Sequence, residues 1–111
     1  MNIEEITNKL QLKKVTQFFG SKKEISGAYT SDLLSDVMAN SKKDNVWVTI
    51  QTHLNIIAVA SLKELSAIII VLDKEIDNDT LEKAEMENIT ILRTPMTAYQ
   101  VSGKLYELGI R

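Results

Sequence analysis

Hydrophobic positions along the chain follow two rhythms that alternate. Ile3, Ile6 and Leu10 recur three and four apart, which predicts a short amphipathic helix over residues 3–10. Weak alternation from Leu12 to Gln17 predicts an edge strand, closed by a turn over Phe18-Phe19-Gly20-Ser21-Lys22-Lys23. Ile25 to Tyr29 reads as a strand in which Gly27 suggests a close backbone approach. Thr30, Ser31 and Asp32 offer three candidate N-caps ahead of the helical stripe Leu33, Leu34, Val37 and Met38.

The strongest strand pattern is Val46-Trp47-Val48-Thr49-Ile50, rich in β-branched and aromatic residues. A helix apolar almost all round, and so expected to be deeply packed, follows from Ile56 to Leu65. Ala67 to Leu72 has no polar residue, the mark of a central strand covered on both faces. Asp77-Asn78-Asp79-Thr80 precedes a helix over 79–87, with Asp79 and Glu82 at capping-box spacing, and Ile89 to Leu92 is a short strand. In the last helix, Thr97 and Gln100 form a capping box, Met96 and Val101 a staple, and Gly109 suits the C′ position. Strand-helix order repeats four times from residue 25 onward. The pattern predicts one α/β domain over residues 1–111, a three-layer α/β/α structure with a mainly parallel sheet.

Composition adds mainly exclusions. The 111 residues are 44% hydrophobic and 25% charged, an ordinary globular balance. Cysteine is absent, which removes disulfides, thiolate metal sites and a cysteine nucleophile. Four glycines, at 20, 27, 103 and 109, leave no room for a Gly-rich phosphate loop or a dinucleotide fingerprint. The start Met1-Asn2-Ile3-Glu4-Glu5 lacks signal-peptide character, and no apolar run approaches the ~20 residues of a membrane span. A cytoplasmic protein without a membrane partner is the expectation.

Charge narrows the partners. Thirteen basic and fifteen acidic residues give −2. Residues 1–43 hold seven lysines against five acids, and the remainder holds six bases against ten. Lys13-Lys14, Lys22-Lys23 and Lys42-Lys43 fall in predicted turns or edges, where solvated loop charge explains them. Arginine occurs only at 93 and 111, so nucleic acid is not expected as a partner.

In a parallel sheet, ligands bind beyond the carboxyl ends of the strands. There the sequence offers Thr30 and Ser31, then Thr52, His53 and Asn55, then Asp73, then Thr94 and Thr97, with Arg93 adjacent. Each hydroxyl, amide or carboxylate also has a plain role as a helix cap. His53 is the one histidine, and no serine or acid is placed by the sequence to complete a catalytic triad with it. The acidic run Asp73 to Asp79 departs from a calcium loop, carrying Asn78 at the sixth position and Ala84 at the twelfth. Asp32 and Asp36 share a face of the predicted helix, where solvation accounts for them. No metal, cofactor or catalytic set is expected, and the chain is read as a non-enzyme.

Two long runs resemble the DRTGG-domain family: Lys22 to Asn40, and Trp47-Val48-Thr49-Ile50-Gln51-Thr52-His53-Leu54-Asn55-Ile56-Ile57-Ala58-Val59-Ala60. The namesake Asp-Arg-Thr-Gly-Gly string is replaced; its nearest counterpart is Lys22 to Ala28, with Ser26-Gly27-Ala28 where Thr-Gly-Gly would fall. The resemblance implies a fold similar to the N-terminal domain of HPr kinase/phosphorylase and to the DRTGG domain of CBS-containing pyrophosphatases. It also implies regulation, and nucleotide sensing through the proteins in which such domains occur; the P-loop kinase domain has no counterpart here. The expected function is a regulatory module that binds a small anionic ligand, an adenine nucleotide foremost, at the carboxyl ends of the strands. The alternative is a dimerisation or docking module without a small ligand, and a homodimer is the expected assembly.

Overall fold

The computed structural model describes all residues from Met1 to Arg111. Its centre is a five-stranded sheet in the order β1-β5-β4-β3-β2, where β1 is Lys13–Lys14, β2 Gly27–Thr30, β3 Asn45–Thr49, β4 Ala67–Ile70 and β5 Ile91–Arg93. The three pairings from β2 to β5 put Gly27 opposite Asn45, Val46 opposite Ala67 and Ile68 opposite Ile91, all parallel. Only β1 runs antiparallel, on the outer side of β5.

Every residue of β3 and β4 is buried, so both faces of the sheet need cover. Alternation divides their side chains between two cores. Val46, Val48, Ala67, Ile69 and Leu92 pack with Ile3 and Ile6 of helix α1 (Ile3–Lys9) and with Val101 and Leu105 of α5 (Ala98–Glu107). Trp47, Ile68, Ile70 and Ile91 face α2 (Leu34–Asn40), α3 (Asn55–Leu62) and α4 (Asn78–Met86) through Val37, Ile56, Ile57 and Ala84. Strands β2 to β5 follow one another across the sheet in chain order. Right-handed crossovers in one direction must lie on one face, which is why α2, α3 and α4 do. No strand follows α5, so it is free to cover the other face. The three-layer α/β/α architecture expected from the sequence is present. No helix is long and apolar enough to cross a membrane.

Several local expectations fail for identifiable reasons. The edge strand expected from Leu12 to Gln17 pairs over Lys13–Lys14 only. Beyond it the Thr16 hydroxyl accepts from Ile91 N, and the amides of Gln17 and Phe18 donate to the Glu85 carboxylate, which draws the chain off the ladder. Helix α2 begins at Leu34 and has no side-chain cap. Asp32 lies outside it, so Asp32 and Asp36 do not share a helix face. The carboxylate of Asp32 instead accepts from Thr49 Oγ1 and Ile50 N, both at 2.9 Å, and ties the end of β2 to β3. The box expected from Asp79 and Glu82 is also absent, because α4 starts at Asn78 with Asp77 at its N-cap. Helix α3 is less deeply packed than its composition suggests, since Leu62 is 71% exposed. By contrast the Thr97–Gln100 box forms, and Gly109 takes φ +90 after the helix end.

Gly27 has the close approach that its place in a strand suggested. A Cβ there would lie 2.7 Å from the Arg111 carbonyl oxygen, so the end of the chain rests directly on the start of β2. Gly27→Ala is expected to cost about 1–3 kcal/mol through that overlap, lowering Tm by about 4–8 °C per kcal/mol. Gly103, inside α5, has nothing within 4 Å of an added Cβ. Gly103→Ala should therefore raise stability by about 0.5–1 kcal/mol. Thermal denaturation of the two variants beside the parent chain checks both signs.

Candidate functional site

The polar turns at the carboxyl ends of β2 to β5 all reach one edge of the sheet, but they do so in separate groups. Four strands at about 4.8 Å spacing set β2 and β5 about 14 Å apart. At the β2 end, Thr30 Oγ1 is 2.7 Å from Ser102 Oγ of α5, and Ser31 Oγ accepts from Leu33 N. Ser31 also receives the buried Trp47 indole N–H on its carbonyl at 2.8 Å. Gln51 Nε2 donates to Asp32 O, closing the gap to β3.

Thr52 accepts on its carbonyl from Thr80 Oγ1, while Asn55 opens α3 with an exposed side chain that makes no hydrogen bond. His53 Nδ1 lies 2.7 Å from Asp77 Oδ2, linking the β3–α3 and β4–α4 turns. The hydrogen bond and charge of Asp77 hold the imidazole above its ordinary pKa, and Asp79 adds to the shift. Asp77 is the acid that the sequence did not place, since it lies 24 residues from the histidine. His53 bonds to no hydroxyl, so the pair is an exposed ion pair without a nucleophile.

Between β4 and β5 the connections diverge, one toward α4 and the other toward α5. This is the point in an open sheet where a crevice is expected. Here it is bridged. Leu72 N donates to Met96 O at 3.0 Å, and Asp73 N donates to Thr94 O at 2.9 Å. Arg93 Nη2 donates to Asp73 O at 2.8 Å, and its Nε approaches the Asp73 carboxylate at 3.4 Å. Leu72 and Asp73 accommodate the bridge in the left-handed region, φ 58 and φ 52. Thr94 is buried with its hydroxyl accepting from Met96 N, and Thr97 caps α5. Of the eight residues proposed from sequence, only Thr94 lines a cavity, one of about 270 Å³ shared with Lys9, Gln11, Pro95, Met96 and Lys104. Asp32, Asp73, Glu75, Asp77 and Asp79 give this edge an acidic character.

The largest cavity, about 490 Å³, opens at the opposite edge, where β2 and β3 begin. Its walls are Ser26, Ala28, Tyr29, Asn40, Lys42, Lys43, Asn45 and Arg111, with no acid among them. A tight turn builds it. Asn45 N donates to Lys42 O and Lys42 N donates to Asn45 Oδ1, both at 3.0 Å, with Asp44 at φ 66. Asn45 Nδ2 donates to Ser26 Oγ at 3.1 Å, and Ser26 Oγ donates to Lys43 O at 2.6 Å. Tyr29 OH and Asn40 Nδ2 both donate to Asp36 Oδ1, at 2.7 and 2.8 Å. The bond to Asp36 raises the Tyr29 pKa, and the same bond lowers that of Asp36. Sequence reading passed over this region because Lys42-Lys43 looks like solvated loop charge. The available signal was that charge pair placed just ahead of the strongest strand, whose first residue, Asn45, pairs with Gly27.

No protein-family model matches the chain, and no curated protein does. Among solved structures it is similar to the CBS and DRTGG domains of the regulatory region of Clostridium perfringens pyrophosphatase, complexed with the activator diadenosine tetraphosphate. The TM-score is 0.70 at 15% identity, covering 92% of this chain and 44% of that one. The likeness is one of fold. The chain has a DRTGG-like fold, as its two long runs implied, and spans less than half of the matched structure.

The His53–Asp77 pair predicts a pH dependence of definite sign. A folded-state pKa above the unfolded value stabilises the protein fully below about pH 6.5, and the gain is lost as pH rises through the folded pKa. The Tm difference between the parent and Asp77→Asn should be larger at pH 5.5 than at pH 8.5. The imidazole midpoint, followed by NMR, should fall in the variant.

Proposed function

We propose that this chain is a non-catalytic regulatory module that binds a small anionic ligand, with an adenine nucleotide as the first choice. The observation that carries the reading is the fold likeness over 92% of the chain to a regulatory region crystallised with a nucleotide activator. Two features support it. The one histidine meets an acid but no nucleophile, and no group of three or more His, Asp or Glu side chains is placed to hold a metal ion. The cavity of about 490 Å³ falls in the size range of small-molecule sites and is lined by cations and by no Asp or Glu side chain.

A second reading, a dimerisation or docking module in the same regulatory role, is favoured by α5. Tyr99 and Tyr106 are 88% and 60% exposed on that helix, seven residues apart and so on one side of it. Exposed aromatics are common anchors of protein interfaces.

A thermal-shift screen against adenine and guanine nucleotides and acyl phosphates tests the first reading. A ligand at one hundred times its Kd adds about 2.7 kcal/mol, which raises Tm by about ten degrees or more in a domain of this size. One nucleotide class is expected to give that shift, and a flat screen refutes nucleotide sensing. Light scattering after size-exclusion chromatography tests the second. A dimer that Tyr99→Ala with Tyr106→Ala converts to monomer supports it, and a monomeric parent refutes self-association.

A further inference from the structure

We propose that the cavity where β2 and β3 begin is a polyphosphate site, taking the adjacent phosphates of a small ligand such as a nucleoside diphosphate. The inference rests on reading the chain as an anion-binding module, and it places the anion at the edge of the sheet opposite to the one expected from strand topology.

Charge is the first argument. Lys42, Lys43 and Arg111 line the cavity, and none of them takes part in the four ion pairs that the structure forms. No acid lines it. The nearby Asp36 accepts from Tyr29 and Asn40 and keeps its negative charge, but it forms no ion pair with any of the three cations. Three cations around one space, none of them in an ion pair, suit linked phosphates, whereas a single carboxylate would leave two of them unmatched. The carboxyl edge has the reverse character, with five acids and one guanidinium, which donates through Nη2 to Asp73 O and pairs with the Asp73 carboxylate.

Geometry is the second argument. Asn40 and Asn45 each use one amide N–H within the protein, which leaves each a second donor. Gly27 lets the end of the chain lie against β2, and the Arg111 guanidinium stacks 4.5 Å from the Tyr106 ring. That stacking restrains the side chain before any ligand arrives, which lowers the entropic cost of binding. The plain alternative is that Lys42 and Lys43 follow the end of α2 and only offset the negative end of its dipole.

NMR titration of the ¹⁵N-labelled chain separates the possibilities. The probes are pyrophosphate, ADP, citrate and a single-stranded oligonucleotide, added to the parent, to Lys42→Gln/Lys43→Gln and to Lys42→Arg/Lys43→Arg. ADP and pyrophosphate are expected to perturb the amides of Gly27, Asn45 and Arg111 saturably and more strongly than citrate does. Affinity should fall tenfold or more in the glutamine pair and persist in the arginine pair. If ADP perturbs Thr52, His53, Asn55 and Thr94 instead, this site is refuted while the sensor reading stands. If no phosphate ligand perturbs any amide, both are refuted. A glutamine pair with lowered Tm and unchanged affinity reduces the lysines to their helix-end role and overturns the proposal. Tighter binding of the oligonucleotide than of ADP also overturns it, in favour of a nucleic-acid surface.

Discussion

Residues 67 to 70 are Ala-Ile-Ile-Ile and all are buried, as are all five residues of the neighbouring strand from Asn45 to Thr49. The rest of the structure answers to that burial. A strand apolar on both faces must be covered on both, so a single layer of helices would leave Ile69 or Ile70 in water. Parallel pairing supplies the cover, because each return to the sheet needs a crossover helix. Strands added in chain order send three crossovers to one face, and the remaining face falls to the helices at the two ends of the chain. Helices α1 and α5, distant in sequence, thereby meet on one core through Ile3, Ile6, Val101 and Leu105.

The same arrangement gives the two edges of the sheet different chemistry. At the carboxyl edge the turns lie close enough for many of their polar groups to bond one another. Asp32 serves Thr49 and Ile50, Asp77 serves His53, and the backbone of Leu72 and Asp73 reaches the β5 turn. A buried or half-buried polar group that has found a partner gains little from a ligand. Where β2 and β3 begin, the chain instead leaves a hollow between the Lys42–Asn45 turn and the end of the chain, and the cations around it face water. The topological rule that places ligands beyond carboxyl ends assumes that the crevice there stays open. In this chain two consecutive left-handed residues and an arginine close it.

Individual residues show how far the sequence could be read. The Thr97–Gln100 capping box and Gly109 after the helix were legible because all their partners lie within a few residues. The failed caps tell the opposite story. Asp32 and Asp77 are N-cap residue types just ahead of helices, yet each carboxylate went to a group 17 to 24 residues away. The sequence could not price that competition, since a cap bond and a cross-turn bond are worth similar free energies. The edge strand shortened for a related reason, because Thr16 and Glu85 offered its backbone side-chain partners.

The strand-helix alternation by itself determined the three-layer class and the mainly parallel sheet, because each return to a parallel sheet needs a crossover helix lying on one of its faces. The absence of cysteine and of a glycine-rich loop likewise limited the chemistry before any fold was known. Strand order, the closure of the β4–β5 crevice, the meeting of His53 with Asp77 and the gathering of Lys42, Lys43 and Arg111 around one cavity were decided only in three dimensions. They are contacts between residues tens of positions apart, and a one-dimensional pattern carries the propensity of each partner but not the distance between them.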